Sequence, residues 1–261
     1  MPVKWIDVSQ LSFLSVLLLE RVQLSWFPGW LPEDPLAIAL KANPEVEWFL
    51  RHKCPPLNDW LDRLMASVQT VADPAAVRQA EIDVLAAIND LVAYAVDPAL
   101  YDALPFLGWD SNELLGLADF SGKTVADIGA GTGRLALTVA GMAAAVFAVE
   151  PVGNLRLYLK QKSLQQGVRN LYPVDGLITE IPFPDHFFDI TMSGHVFGDF
   201  PEAEYTELVR VTKPGGMIIL CPGNIDKENG IHTVLLAQGF EWARFEEPQD
   251  GWKRKYWKVC A

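Results

Sequence analysis

The sequence has few cysteines, and they follow no metal-binding pattern. Three occur among its 261 residues, Cys54, Cys221 and Cys260, and they lie far apart. Because no CxxC or cysteine–histidine spacing accompanies them, the sequence predicts neither a disulfide framework nor a metal site. This cysteine usage is typical of a reducing compartment, and we expect a cytoplasmic protein.

Basic residues are outnumbered by acidic ones. Lysine and arginine total 21 against 33 aspartate and glutamate residues, which gives a formal net charge of -12. Binding to phosphate backbones needs clustered basic residues, so nucleic acid is a disfavoured partner. The net charge does not exclude a local basic groove. The basic run Lys253-Arg254-Lys255 fits an anionic acceptor less well than it fits a solvated face.

A long apolar run is missing too. A membrane-spanning helix needs about 20 apolar residues, and the candidate stretch, residues 11–19, has roughly half that. No small-residue cleavage site follows it before Trp26, so we predict neither a membrane segment nor a signal peptide. Leu11, Leu14 and Leu18 share one helical face, which predicts a buried helix here.

The two parts of the chain follow different patterns. Prolines interrupt amphipathic runs in the first hundred residues, and Asp73-Pro74 is typical of a helix start. From Lys123 onward, short apolar runs alternate with glycine turns and helical stretches, which is typical of an α/β fold with a parallel sheet. We therefore predict a helical region over residues 1–110 and an α/β domain over residues 111–261.

The α/β part can be divided into elements. The predicted strands cover residues 124–128, 145–149, 171–174, 188–192 and 217–220. The predicted helices cover residues 134–141, 155–166 and 202–211. Two antiparallel strands, 241–245 and 256–260, are predicted to follow as a hairpin joined near Asp250-Gly251.

A glycine loop follows the first predicted strand. It reads Asp127-Ile128-Gly129-Ala130-Gly131-Thr132-Gly133-Arg134 and opens a helix. Glycine lets the backbone lie against a ligand, and free N–H groups at a helix start attract a negative group. Arg134 stands where a dinucleotide fingerprint has its third glycine. We expect the Asp127 carboxylate either to orient the loop or to meet the ammonium of an amino-acid moiety.

A second carboxylate, Glu150, ends the next predicted strand and precedes Pro151. A carboxylate at the end of a second strand can accept hydrogen bonds from both hydroxyls of a ribose. A glutamate in that place can also be a plain surface residue. Because Glu150 follows Gly133, the last glycine of the loop, by one helix and one strand, the ribose role is the better interpretation.

These motifs together resemble class I S-adenosylmethionine-dependent methyltransferases. The resemblance covers residues 123–220 and, with the end hairpin, reaches the C-terminus. It is carried, in this order, by residues 127–133, Glu150-Pro151, Asp175-Gly176, 188–190 and 212–216. It implies S-adenosylmethionine as cofactor and a Rossmann-like seven-stranded sheet with an antiparallel last strand and helices on both faces.

The resemblance also implies contacts for individual residues. Residues 129–133 would lie against the amino-acid end of the cofactor. Apart from the resemblance, Arg134 is a weaker candidate, which either pairs with the cofactor carboxylate or simply stands at the helix start. Glu150 would bind the ribose, beside Pro151. Asp175, with Gly176, would lie near the adenine amino group.

The segment after the fourth predicted strand is a candidate for chemistry. It reads Met192-Ser193-Gly194-His195-Val196-Phe197-Gly198-Asp199, and ligands of open α/β sheets bind outside the carboxyl ends of the strands. We expect Ser193 and Gly194 to contact the cofactor. His195 is a candidate general base, and Asp199 is expected either to orient it or to bind a polar acceptor. The alternative is a structural His195, with Asp199 capping the helix that follows.

Three functions stay open on the sequence alone. The favoured one is methyl transfer to a small-molecule acceptor, with residues 1–110 as a lid or acceptor-binding region. An NAD-dependent oxidoreductase is disfavoured by the glycine spacing. A non-catalytic S-adenosylmethionine-binding protein would carry the same cofactor residues.

Overall fold

The computed structural model describes residues 4–67 and 73–261. The chain divides into two compact units between Tyr101 and Asp102. The second unit therefore begins at Asp102, before residue 111, where the α/β domain was predicted to begin. Asp102 accepts hydrogen bonds from Tyr158 and Lys162 of the α/β part. Among the described residues, no helix is both long and apolar enough to cross a membrane.

The first unit is built from short helices around one apolar core. Proline residues begin several of them, and Asp73 caps the longest through hydrogen bonds from Ala75 N and Ala76 N, as the sequence predicts. Its helices are α1 Arg21–Ser25, α2 Glu33–Ala42, α3 Pro44–Lys53, α4 Asn58–Ser67, α5 Pro74–Ala87, α6 Asn89–Val96 and α7 Pro98–Asp102. Short 3-10 helices cover Val8–Gln10, Phe13–Leu18 and Pro55–Leu57.

The buried helix predicted for residues 11–19 is wrong. Phe13–Leu18 forms a 3-10 helix, whose three-residue period buries Phe13 and Val16. Leu14 and Leu18 of the predicted face are instead 43% and 52% exposed.

The second unit is a mixed α/β structure. Its strands are β1 Thr124–Ile128, β2 Ala145–Val149, β3 Leu171–Val174, β4 Phe188–Ser193, β5 Thr212–Ile225, β6 Glu241–Glu247 and β7 Gly251–Val259. Its helices are α8 Asn112–Leu115, α9 Arg134–Ala140, α10 Gly153–Gln165, α11 Pro201–Val211 and α12 Gly230–Ala237, with a 3-10 helix at Pro105–Gly108.

The seven strands form one sheet in the order β3-β2-β1-β4-β5-β7-β6. Strands β1 to β5 pair in parallel, and β7 runs antiparallel to both β5 and β6. The predicted sheet with its antiparallel last strand is therefore confirmed. The carboxyl ends of β1, β2 and β4 lie side by side, since Ile128 is paired with both Val149 and Ser193.

Alternate residues of the sheet enter two separate cores. Val125 packs in one core with α9 and α10 residues such as Val139 and Leu159. Ala126 packs in the other with Leu208 of α11 and Leu235 of α12. Helices therefore cover both faces, and the polar strand ends are left at the sheet edge.

The basic run Lys253-Arg254-Lys255 is not the solvated face that the sequence suggests. All three residues are buried. Each is paired with a carboxylate: Lys253 with Asp250, Arg254 with Asp226 and Lys255 with Glu113. Burial of an ammonium or guanidinium group requires such a partner.

Candidate active site

The glycine loop joins β1 to α9 in a tightly packed turn. Gly129 and Gly133 have φ values of 71° and 89°, which side-chain-bearing residues rarely adopt. A Cβ atom at Gly129 would lie 2.2 Å from Val196 Cγ2, and one at Gly133 would lie 2.3 Å from Leu159 Cδ1. Both glycines are therefore required by conformation and by space.

Asp127 anchors the helix start beneath this loop. Its Oδ2 accepts a hydrogen bond of 2.8 Å from Ala136 N in the first turn of α9. Its Oδ1 is buried with no hydrogen-bond partner. Burial raises the pKa of Asp127 to about 7; the Ala136 hydrogen bond opposes this shift, and the Glu150 charge adds to it. Oδ2 of Asp127 thus orients the loop, whereas Oδ1 is available to accept a hydrogen bond from a ligand.

Glu150 links the end of β2 to the glycine loop. Its Oε2 accepts a hydrogen bond of 2.8 Å from Gly131 N, and its Oε1 accepts one of 2.9 Å from Val152 N. The side chain is buried. A carboxylate oxygen has two lone pairs and can accept more than one hydrogen bond. Pro151 stands between Glu150 and Val152 in the turn into α10.

Asp175 and Gly176 follow β3 next to this turn. The Asp175 carboxylate forms a 2.8 Å ion pair with Arg156, which also donates to the Glu150 carbonyl oxygen. The Asp175 side chain is largely exposed. A Cβ at Gly176 would lie 2.6 Å from Pro182 Cδ. Arg156, which the sequence motifs do not include, thus ties Asp175 to Glu150.

Arg134 is turned toward the segment before the sheet. Its guanidinium lies over the Trp109 ring, 4.5 Å from the centroid, and donates to the Trp109 carbonyl oxygen. It also donates to Ser111 Oγ and Thr138 Oγ1, each at 3.1 Å. These contacts occupy most of the guanidinium, whereas its Nε is buried with no hydrogen-bond partner.

Ser193 and Gly194 lie where β4 ends. The Ser193 hydroxyl is buried and has no hydrogen-bond partner. Gly194 is close to β5, since a Cβ there would be 3.2 Å from the Cys221 carbonyl oxygen. Burial raises the pKa of the Cys221 thiol to about 12, so this thiol is not a nucleophile.

His195 is held by a partner that the sequence does not predict. Its backbone has φ of 62°, and its Nε2 lies 2.8 Å from Glu247 Oε1 at the end of β6. Glu247 is fully buried, whereas the His195 side chain is 37% exposed. The Phe106 ring meets the imidazole edge to face, with a centroid distance of 5.5 Å.

Asp199 does not orient His195. The structure gives the carboxylate contact of His195 to Glu247, and Asp199 is exposed. Asp199 is not the helix cap either, because Glu204 accepts hydrogen bonds from Gly198 N and Phe200 N before α11. A signal for Glu247 exists in the sequence: it continues the alternation of Ala243 and Phe245 on one strand face.

A cavity of about 480 Å³ opens beside the glycine loop. Lys162 in its wall donates to Asp102 at 2.6 Å and to the Thr132 carbonyl oxygen at 3.3 Å. The volume is in the range of small-molecule sites. The cavity is lined by Asp102, Ala103, Leu104, Pro105, Leu107, Gly108, Arg134 and Lys162.

Residues 126–220 match a family model described as a methyltransferase domain. The chain is 29% identical over 118 residues to the demethylmenaquinone methyltransferase of Geobacillus kaustophilus, covering 43% of this chain and 50% of that protein. It is 33% identical over 99 residues to an uncharacterised protein of Mycobacterium bovis, covering 37% and 36% of the two chains. The chain thus spans half or less of the length of these curated relatives.

The fold is also found among solved structures. A methyltransferase from Aquifex aeolicus, described as S-adenosylmethionine-dependent, is similar with a TM-score of 0.51 and 19% identity. The similarity covers 62% of this chain and 97% of that one. At this identity the similarity concerns the fold alone.

Proposed function

We propose that this chain, whose residues 126–220 form a class I S-adenosylmethionine-dependent methyltransferase domain, transfers a methyl group from that cofactor to a small organic acceptor. The proposal rests on one observation above all. Two carboxylates, Asp127 and Glu150, face the glycine loop at the carboxyl ends of neighbouring strands. Such a site favours a ligand with an ammonium group and ribose hydroxyls.

The buried polar atoms support this cofactor. Asp127 Oδ1 and Ser193 Oγ are buried without hydrogen-bond partners, and leaving such groups unpaired costs about 1–3 kcal/mol each. A ligand that supplies donors at the strand ends removes this cost. Gly129 and Gly133 let Val196 and Leu159 pack directly on the turn, which fixes the loop below the strand ends. The residues present therefore fit S-adenosylmethionine.

Each part of the cofactor has candidate partners in this chain. Asp127 and the glycine loop, with Ala130 and Arg134 at its sides, would hold the amino-acid end. Glu150, followed by Pro151, would accept the ribose hydroxyls, and Asp175 with Gly176 would hold the adenine amino group. Ser193 and Gly194 would contact the cofactor from β4. When bound, the cofactor supplies an electrophilic methyl group on a sulfonium.

A dinucleotide fits this loop less well. Its pyrophosphate would need the N–H groups at the helix start, yet Gly131 N already donates to Glu150. It would also lie close to the Asp127 and Glu150 carboxylates, which repel an anion. The same carboxylates attract an ammonium.

The acceptor is proposed to be a small organic molecule. The lining of the 480 Å³ cavity combines the apolar residues Leu104, Pro105 and Leu107 with charged side chains. A small-molecule acceptor also agrees with the name of the demethylmenaquinone methyltransferase relative. We propose, in addition, that the helical N-terminal region acts as a lid or in acceptor binding.

Titration of the purified protein by calorimetry and thermal shift tests the cofactor. We expect S-adenosylmethionine and S-adenosylhomocysteine to bind and to raise the melting temperature, because both stabilise the native state by mass action. NAD should do neither. Binding of NAD alone would refute the proposal. A second experiment separates an enzyme from a binding protein: the protein is incubated with S-adenosylmethionine and acceptor libraries, and S-adenosylhomocysteine is detected as product.

A further inference from the structure

We propose that Glu247 is a positioning residue that holds His195 as the proton acceptor of the reaction. It follows that the methyl acceptor is protic: a hydroxyl, a thiol or an acidic C–H. This inference rests on the proposed methyl transfer and adds a residue and an acceptor class to it.

The first support is the depth of the Glu247 carboxylate. It is fully buried at the end of β6, and its Oε1 lies 2.8 Å from His195 Nε2. A buried anion needs opposite charge nearby. Lys253 provides it, with its Nζ 3.5 Å from Glu247 Oε2. The imidazole therefore faces a buried carboxylate that has an ammonium group beside its other oxygen.

This pairing determines which ring nitrogen carries the proton. An ionised carboxylate only accepts hydrogen bonds, so Nε2 of His195 must be the protonated nitrogen. Nδ1 is then the basic nitrogen, free to take a proton from a reacting group. When it does so, the imidazolium is stabilised by the adjacent Glu247 charge, as in other histidine–carboxylate pairs.

The backbone places His195 next in the chain to a residue that packs on the glycine loop. His195 N donates to the Pro222 carbonyl oxygen at 2.9 Å, and the positive φ turns the chain sharply after β4. The next residue, Val196, packs directly on Gly129. His195 is thus beside the glycine loop, and its side chain is the partly exposed member of the pair.

The proton balance defines the acceptor. As the acceptor atom forms its bond to the methyl carbon, the electron pair of the broken C–S bond leaves with sulfur. The acceptor's own proton passes to His195 Nδ1 and then to water. A tertiary amine or a thioether has no such proton, so a fixed base would serve no purpose for it.

The tautomer of His195 is directly measurable by nitrogen-15 NMR. The chain has four histidines, so the His195 signals are assigned by their loss in His195→Gln. We expect wild-type His195 to be the Nε2–H tautomer. Glu247→Gln should produce a mixture of tautomers, because an amide both donates and accepts. Glu246→Gln, a change of the adjacent exposed residue, should leave the spectrum unchanged.

Two results would overturn the inference. One is an Nδ1–H tautomer in the wild type, a measurement that does not depend on any variant folding. The other is a Glu247→Gln spectrum identical to that of the wild type. Calorimetry with S-adenosylmethionine on the same samples separates the two proposals, since lack of cofactor binding refutes the proposed function and leaves the tautomer result standing.

Discussion

The Glu150 carboxylate accepts a hydrogen bond of 2.8 Å from Gly131 N, so the end of β2 holds the loop that follows β1. A single side chain therefore shapes the glycine loop and faces the place proposed for the ribose. These two roles can be separated by changing the ligand as well as the protein.

Glu150→Gln should weaken S-adenosylhomocysteine binding by roughly tenfold or more, since hydrogen bonds to charged groups contribute about 1.5–3 kcal/mol. The ribose role predicts a coupling. Removal of the 2′-hydroxyl from the ligand should cost the wild type about tenfold, but should cost the variant little. Calorimetry measures all four affinities, with Glu202→Gln on the exposed face of α11 as control. If removal of the 2′-hydroxyl weakened ligand binding equally in the wild type and in Glu150→Gln, Glu150 would only shape the loop.

Gly129→Ala should be far more disruptive than Gly122→Ala. Both glycines have positive φ, but only at Gly129 would the new Cβ clash, at 2.2 Å from Val196. Positive φ costs an alanine about 1–2 kcal/mol, and overpacking adds about 1–3 kcal/mol. Urea unfolding should show the difference, and Val196→Ala should restore part of the stability of Gly129→Ala. Equal destabilisation by the two glycine variants would contradict the packing found here.

The strand positions could be predicted because local signals agree from residue 124 to 220. The first four apolar runs are short and are followed by glycine or a polar residue, which is typical of buried parallel strands. The fifth run, 217–220, predicts only part of β5, which extends from Thr212 to Ile225. Helix α12 has no such signal. Its sequence, Gly-Ile-His-Thr-Val-Leu-Leu-Ala, has hardly any polar face, so its helical period is hidden. The 3-10 helix at Phe13–Leu18 could not be predicted either, because its leucines have the spacing of an α-helix and indicate the wrong buried face.

The grouping of the candidate site residues could be predicted only where these residues follow directly from a strand. Asp127, Glu150 and Ser193 stand at strand ends, and the fold brings strand ends together. Glu247 is different, since it meets His195 only through the placement of β6 in the sheet. The contact of Arg134 with Trp109 likewise depends on tertiary structure, which no local spacing encodes.

Cofactor binding should release a proton at pH 6. The pKa of Asp127 is raised to about 7, mainly by burial, so its carboxyl is mostly protonated at pH 6. Contact with a cofactor ammonium favours the ionised form, so most of one proton should leave on binding, and less at pH 8. Calorimetry in two buffers of different ionisation enthalpy measures this release. The Asp127→Asn variant should release no proton when it binds the cofactor. The wild type should release none when it binds 5′-methylthioadenosine, a ligand without the amino acid. Binding enthalpies of the wild type that do not depend on the buffer would exclude the ammonium contact.

The pairing of His195 with Glu247 predicts which acceptors turn over. Phenols or thiols should be methylated, whereas matched tertiary amines and thioethers should not, because only the former lose a proton. His195→Gln should lower kcat by about 10²-fold or more, the usual contribution of a general base, and Glu247→Gln should lower it less, with KM for the cofactor unchanged. Asp199→Asn, at the exposed position, should retain full turnover. The assay follows S-adenosylhomocysteine release, with His186→Gln as a second histidine of positive φ for control. Methylation of a tertiary amine at equal rates in the wild type and in His195→Gln would show that the reaction needs no base.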